Sequence, residues 1–127
     1  DSSWEILYLT DNLKIGKCIG ISEVDELASM LFLVKCNFGS YIYAACTRKK
    51  YRGGGYMTQL LDYAKENESS LCLIPASDSL VDFYYKRGFT EHAHIEDICF
   101  EECDGIKEYL LEGYSLTDPQ VMIYKEV

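Results

Sequence analysis

Four cations and three glycines meet in the middle of the chain. Arg48, Lys49, Lys50 and Arg52 are followed at once by Gly53, Gly54 and Gly55. Before them, Tyr41 to Thr47 is an uncharged run of aromatic and small residues, the pattern of a buried strand. After them, Met57, Leu60, Leu61 and Ala64 recur at helical spacing and form one apolar face. The glycines therefore fall where strand becomes helix. A helix start leaves its first N–H groups without partners and carries partial positive charge. Glycine lets the backbone bend sharply and approach a ligand with no Cβ in the way. Beside a forked guanidinium such as Arg52, this is chemistry for an anion, phosphate above all. A glycine turn next to a solvated basic patch is the plainer account, and this stretch alone does not separate the two. Tyr56 and Met57 follow Gly55, so the Lys-Ser/Thr of a nucleotide P-loop is absent, and the spacing is not G-x-G-x-x-G.

A second group follows in Phe83, Tyr84, Tyr85, Lys86, Arg87, Gly88 and Phe89. A phenol with a pKa of about 10 can deliver a proton to a leaving group. The competing account of Tyr84 is an aromatic on the core face of a helix. No acid lies in 41–47, so a general base must come from elsewhere. Asp78, Glu91, His92 and His94 are candidates, each otherwise an ordinary exposed polar residue, and water can also take the proton. Cys46 could act as a nucleophile, although a small buried thiol is the simpler account.

The six cysteines, Cys18, Cys36, Cys46, Cys72, Cys99 and Cys103, contain no C-x-x-C, and the histidines are not spaced from them like a zinc site. They read as buried free thiols in a reducing cytosol, which makes the expected location cytoplasmic with no metal. Cys99 with Cys103 is the one close pair available for metal or redox work. The net charge of −9 disfavours nucleic acid and favours a cationic partner such as an amine. Residues 91–112 are the most acidic part, which is either a solvated face or a field that gathers a cationic acceptor. No apolar run approaches the roughly 18 residues of a membrane span. No signal peptide is visible, and a chain beginning at Asp1 is expected to have a processed or trimmed start.

The elements that must position these groups follow from periodicity. Residues 1–16 read as a short helix or extended segment on the core. Lys17–Ser22 and Leu27–Cys36 read as a hairpin around a polar turn, the second strand covered on both faces. Strand 41–47, the loop, and a helix ending near Asn67–Ser70 come next. Leu71–Pro75 is a short strand parallel to 41–47 through a right-handed crossover. Ser77 or Asp78 caps a helix with Leu80, Phe83 and Tyr84 on one face, and Gly88 stops it with Phe89 folding back. Residues 89–100 are expected to form a strand, 104–112 a short helix, and 121–124 a last strand. The whole, residues 1–127, is expected to be one α/β domain with a mixed sheet flanked by helices.

Arg52-Gly53-Gly54-Gly55-Tyr56-Met57 resembles the Q/R-x-x-G-x-G/A coenzyme A loop of the GNAT superfamily of N-acetyltransferases, with Met57 replacing the small last residue. Phe83-Tyr84-x-x-x-Gly88-Phe89 resembles that family's second motif, and the two occur in the family's order. The resemblance covers about residues 17–127 and leaves little chain for the strand and two helices that usually precede it. It implies a splayed sheet with acetyl-coenzyme A between strands 41–47 and 71–75. Ala45, Cys46 and Thr47 would hold the pantetheine arm, and Arg52, Gly53, Gly54, Gly55, Met57 and Thr58 the pyrophosphate. Ser77 aligns with a position that bonds pantetheine, its other reading being a plain helix cap. Tyr84 aligns with the acid for the leaving thiolate, and an N–H near Ala45 with the group that polarises the carbonyl. The acetyl group would pass by direct attack to a small amine or peptide amine, and a homodimer is one way to complete the site. The alternative is a non-catalytic coenzyme A-binding or protein-interaction domain, favoured by the missing strand acid, the short N-terminus and Met57.

Overall fold

The computed structural model describes residues 3–8, 17–101, 104–111 and 113–126. Seven strands form one sheet: β1 (Ser3–Tyr8), β2 (Lys17–Glu23), β3 (Glu26–Cys36), β4 (Gly39–Thr47), β5 (Ser70–Leu73), β6 (Glu91–Ala93) and β7 (Val121–Lys125). Their spatial order is β1-β2-β3-β4-β5-β7-β6. Helix α1 (Tyr56–Asn67) connects β4 to β5, and α2 (Asp78–Tyr85) follows β5. Only β4 and β5 run parallel, as the crossover through α1 requires. The remaining ladders are antiparallel.

The N-terminal segment resolves to a strand, β1, on the edge of the sheet. The hairpin between β2 and β3 turns on Val24 and Asp25, both with positive φ (47° and 64°). That pair of angles is the turn whose twist matches antiparallel strands. Along β3, Leu31 and Leu33 pack on the helix side and Val34 and Cys36 on the other. This two-sided burial explains why the segment reads as nearly all apolar.

Each face has its own core. Toward the helices, Ile19, Ile21, Leu31, Leu71 and Met122 pack with Leu60, Leu61, Tyr84 and Phe89. On the opposite face, Val34, Tyr41, Cys72, Val121 and Ile123 pack against Ile98, Phe100 and Leu110. The cover there is the segment between β6 and β7. Asn37 pins it, donating from Nδ2 to Asp97 O (2.8 Å) and accepting the Cys99 N–H at Oδ1 (2.8 Å).

That segment corrects the expected strand at 89–100. Pairing with β7 stops at Ala93, and Ile95–Asp97 is a 3-10 turn. Its buried Ile98 and Phe100 imitate strand alternation because they drop onto the sheet from a loop. The short helix expected at 104–112 is a 3-10 turn over Asp104–Tyr109. Cys18, Cys36 and Cys72 are buried free thiols, but Cys46 and Cys99 are exposed, which corrects the reading of uniformly buried cysteines. Cys103 lies outside the described residues. Among the described residues no helix is long and apolar enough to cross a membrane.

Candidate active site

The site begins where two parallel strands part. The β4–β5 ladder consists of Ser40 opposite Leu71 and Tyr41 opposite Cys72. Immediately beyond, β4 bulges. Phe32 pairs with Tyr43 and Met30 with Cys46, so Ala44 and Ala45 together face Leu31. Ala44 takes φ 54°, unusual for a residue with a side chain. A bulge bends its strand and raises its twist, which carries β4 away from β5. The gap is a cleft of about 730 Å³ lined by Ala45, Cys46 and Thr47 of β4, by the loop and first turn of α1, and by Leu80, Phe83, Tyr84 and Arg87 of α2.

The loop 48–55 contributes Tyr51, Arg52, Gly53 and Gly55 to the cleft. A 3-10 turn over Lys49–Tyr51 precedes the glycines. Gly53 and Gly55 have φ of 84° and 82°, and a Cβ built on either would meet nothing within 4 Å. Their backbone therefore borders open space. Gly55 is the N-cap of α1, and the first helical bond runs from Gln59 N–H to Gly55 O (3.0 Å). The N–H groups of Tyr56, Met57 and Thr58 precede that bond, as in any helix start, and are left for an external acceptor. Met57 turns its side chain onto the helix-side core, so its bulk does not fill the turn.

Half of the basic cluster, Arg48 and Lys50, is occupied elsewhere. Glu26, on the hairpin, accepts from Lys50 (2.7 Å) and from the Tyr51 hydroxyl (2.9 Å), with Arg48 at 3.8 Å. These bonds hold its carboxyl below the usual range. Arg48 also donates to Leu27 O (2.6 Å). Arg52 remains in the cleft wall, its Nε on Thr47 O at 3.1 Å.

Helix α2 supplies the opposite wall. It stops at a left-handed Gly88 (φ 97°), with Phe89 N–H on Tyr84 O (3.1 Å) and Gly88 N–H on Tyr85 O (3.1 Å). This two-bond stop satisfies the last carbonyls and folds the following apolar residue back. Phe89 is fully buried and stacks edge-on with Tyr84 at 5.8 Å. Tyr84 is 8 % exposed, and burial pushes its pKa up to about 12, with the Tyr114 phenol adding to the effect.

The acetyltransferase (GNAT) domain family matches residues 12–104. The chain belongs to the GNAT family. Solved GNAT structures share the fold across nearly its whole length. A GNAT family acetyltransferase from Elizabethkingia anophelis, with acetyl-CoA bound, superposes with a TM-score of 0.64 at 14 % identity, covering 97 % of this chain and 98 % of that one. An acyl-CoA N-acyltransferase from Pseudomonas aeruginosa gives 0.61 at 13 % identity, covering 98 % and 99 %. N-acetylglutamate synthase from Neisseria gonorrhoeae, complexed with coenzyme A and N-acetyl-glutamate, gives 0.63 at 15 % identity. The match covers 94 % of this chain but only 29 % of that larger protein. No curated protein matches the chain.

Against the residues expected for a GNAT site, Ala45, Cys46, Thr47, Arg52, Gly53, Gly55, Met57, Thr58 and Tyr84 converge on the cleft. Gly54 and Ser77 are not among its lining. A Cβ on Gly54 would sit 3.0 Å from the Tyr56 ring, so that glycine accommodates a neighbouring side chain. Ser77 is the N-cap of α2 by position, but its hydroxyl makes no cap bond and meets Ser79 Oγ at 2.9 Å. The four base candidates also lie outside. Asp78 accepts from Thr117 N–H (3.0 Å) and Oγ1 (2.7 Å), which lowers its pKa. Glu91 pairs with Lys125 at 3.4 Å, and His92 and His94 are exposed away from the cleft. Tyr51, Tyr56, Leu80, Phe83 and Arg87 line the cleft without having been given a site role from the sequence. Phe83 and Arg87 stood inside a recognised motif, and a helical projection from Tyr84 would have placed them on its side.

Proposed function

We propose that this protein is an N-acetyltransferase moving the acetyl group of acetyl-coenzyme A to a primary amine by direct attack. The cleft carries the reading. It offers free helix N–H groups, two unobstructed glycines and Arg52, together with a buried phenol and an unpaired strand edge. That set of surfaces fits a diphosphate, an extended amide-bearing arm and a thioester. Acetyl-coenzyme A would supply the activated acetyl carbon.

The residues then divide the work. Tyr56, Met57 and Thr58 N–H groups with Arg52 hold the diphosphate, while Gly53 and Gly55 leave it room. Ala45, Cys46 and Thr47 present the edge of β4 to the arm, and an N–H near Ala45 polarises the carbonyl. As the C–N bond forms and the C–S bond breaks, Tyr84 donates its hydroxyl proton toward sulfur. Its raised pKa keeps that proton in place at neutral pH. It also exceeds the value of about 8.5 for an ordinary thiol, so full transfer is uphill and hydrogen bonding to the departing sulfur is the larger part of the effect. The attacking nitrogen releases its proton to water, because the described cleft lining contains no Asp, Glu or His.

Residues 1–127 act as one unit in this reading, and the acceptor is a small or peptide amine drawn by the net charge of −9. A relative that holds N-acetyl-glutamate supports a small-molecule acceptor. The absence of Asp, Glu and His from the described cleft lining favours one rival, a coenzyme A-binding domain without turnover. Thiol release from acetyl-coenzyme A against a panel of amines separates them. Amine-dependent release, with KM for a cationic amine rising with ionic strength, is expected. Coenzyme A binding with no release for any amine class would establish the rival.

A further inference from the structure

Among the described residues five cations pair with carboxylates. Lys35 pairs with Glu68 (3.7 Å), Lys86 with Asp82 (2.9 Å), Lys125 with Glu91 (3.4 Å), and Arg48 and Lys50 with Glu26 (3.8 and 2.7 Å). Arg87 differs. Among the described residues no carboxylate lies within ion-pair distance of it, although it is half-buried in a chain with a large acidic excess. Its guanidinium is nonetheless fixed. Nε donates to Thr58 Oγ1 (3.1 Å), Nη1 donates to Phe83 O (2.8 Å), and the plane sits 3.6 Å from the centre of the Phe83 ring. These partners are neutral: they set the orientation and leave the charge uncompensated. Two of five N–H groups are used, so part of the fork remains available. Thr58, one of the anchors, is the third residue of α1 and carries one of the N–H groups without a helical acceptor. Arg87 lines the same cleft.

A half-buried cation with neutral anchors is costly in isolation and is stabilised when an anion arrives. We propose that Arg87 is a donor-specificity residue, a second guanidinium that joins Arg52 in gripping the phosphates of the acyl donor at the start of α1. The inference rests on the cleft being the coenzyme A site. It assigns the phosphate-binding charge to one arginine on the loop and one at the end of α2, and not to Lys50, which is held by Glu26.

The test is titration calorimetry of the full chain with coenzyme A and, separately, with pantetheine, at two salt concentrations. Arg87→Gln is expected to weaken coenzyme A by about 10- to 100-fold, the usual effect of losing a charge-assisted bond. It should also flatten the salt dependence of log Kd and leave pantetheine unchanged. Arg87→Lys, which keeps charge but not the fork, should fall between, and it serves if Arg87→Gln fails to fold. Wild-type affinity and salt slope in the folded variants would overturn the proposal, as would equal losses for coenzyme A and pantetheine, the mark of a mere clamp between helices. If the wild-type protein binds neither ligand, the reading of the cleft falls with it.

Discussion

Gly55→Val tests the phosphate loop with a magnitude the structure supplies. Gly55 has φ 82°, where a residue with a side chain is strained by about 1–3 kcal/mol. Nothing lies within 4 Å of an added Cβ, so no clash in the free protein adds to that strain. For 127 residues an unfolding entropy of roughly 2.1 cal/mol/K per residue gives about 0.27 kcal/mol/K. The free variant should therefore melt roughly 4–11 °C below wild type and still fold. Coenzyme A at about a hundredfold over Kd adds about 2.7 kcal/mol to the wild type, a rise of roughly 10 °C. In Gly55→Val that rise should vanish, because the new side chain occupies the space a phosphate would use. Gly54→Ala is the control. Its added Cβ would press on the Tyr56 ring while Gly54 itself does not line the cleft, so it should change the melting temperature slightly and keep the ligand-induced rise. Differential scanning fluorimetry with and without coenzyme A reads all three proteins. A full rise in Gly55→Val would refute the loop assignment.

Tyr84→Phe should lower turnover by about 10²-fold, the low end for a general acid given its raised pKa, with coenzyme A affinity unchanged; single-turnover kinetics at wild-type rate would exclude the role. Val24 is 90 % exposed and holds φ 47° in the β2–β3 turn, where a β-branched residue is strained. Val24→Asn should stabilise the protein by about 1 kcal/mol in urea titrations. The Tyr41 hydroxyl is buried with no hydrogen-bond partner among the described residues, the Ile74 backbone lying beside it without bonding geometry. Tyr41→Phe should therefore leave stability unchanged or raise it by up to about 1 kcal/mol. Burial raises the pKa of both Tyr41 and Tyr84, so the native state holds these protons more tightly than the unfolded chain. Their contribution is full below pH of about 10 and is lost as pH rises through 12 and beyond. Stability measured across that window should fall less steeply in the double Phe variant.

Local patterns in the sequence carried the strand–loop–helix at 41–61, the parallel pairing of β4 with β5 and the glycine stop of α2. Each depends on residues close together in the chain. What escaped depends on distant ones. Glu26 takes Lys50 out of the basic cluster and holds the Tyr51 hydroxyl beside it, and no spacing rule signals that. Ile98 and Phe100 alternate like a strand because they reach down from a loop onto the sheet. Exposure of Cys46 follows from β4 leaving its neighbour after Tyr41, an event marked only by an alanine in a left-handed conformation. Arg87 enters the cleft because the stop at Gly88 fixes the end of α2 against Thr58, a contact between helices separated by a strand.

The order of strands has a consequence for synthesis. β7 lies between β5 and β6 yet comes later in the chain than every other described strand. Until it emerges from the ribosome, β5 offers an open edge and β6 has no partner. The apolar cover over the second face, around Ile98, Phe100 and Leu110, is likewise a late arrival. A nascent chain ending before Val121 would therefore display a bare strand edge beside an incompletely covered sheet face, a combination that invites pairing with other chains. Ribosome-stalled chains of increasing length should lose chaperone contacts abruptly when residues 121–125 clear the exit tunnel, rather than in steps as each earlier hairpin forms.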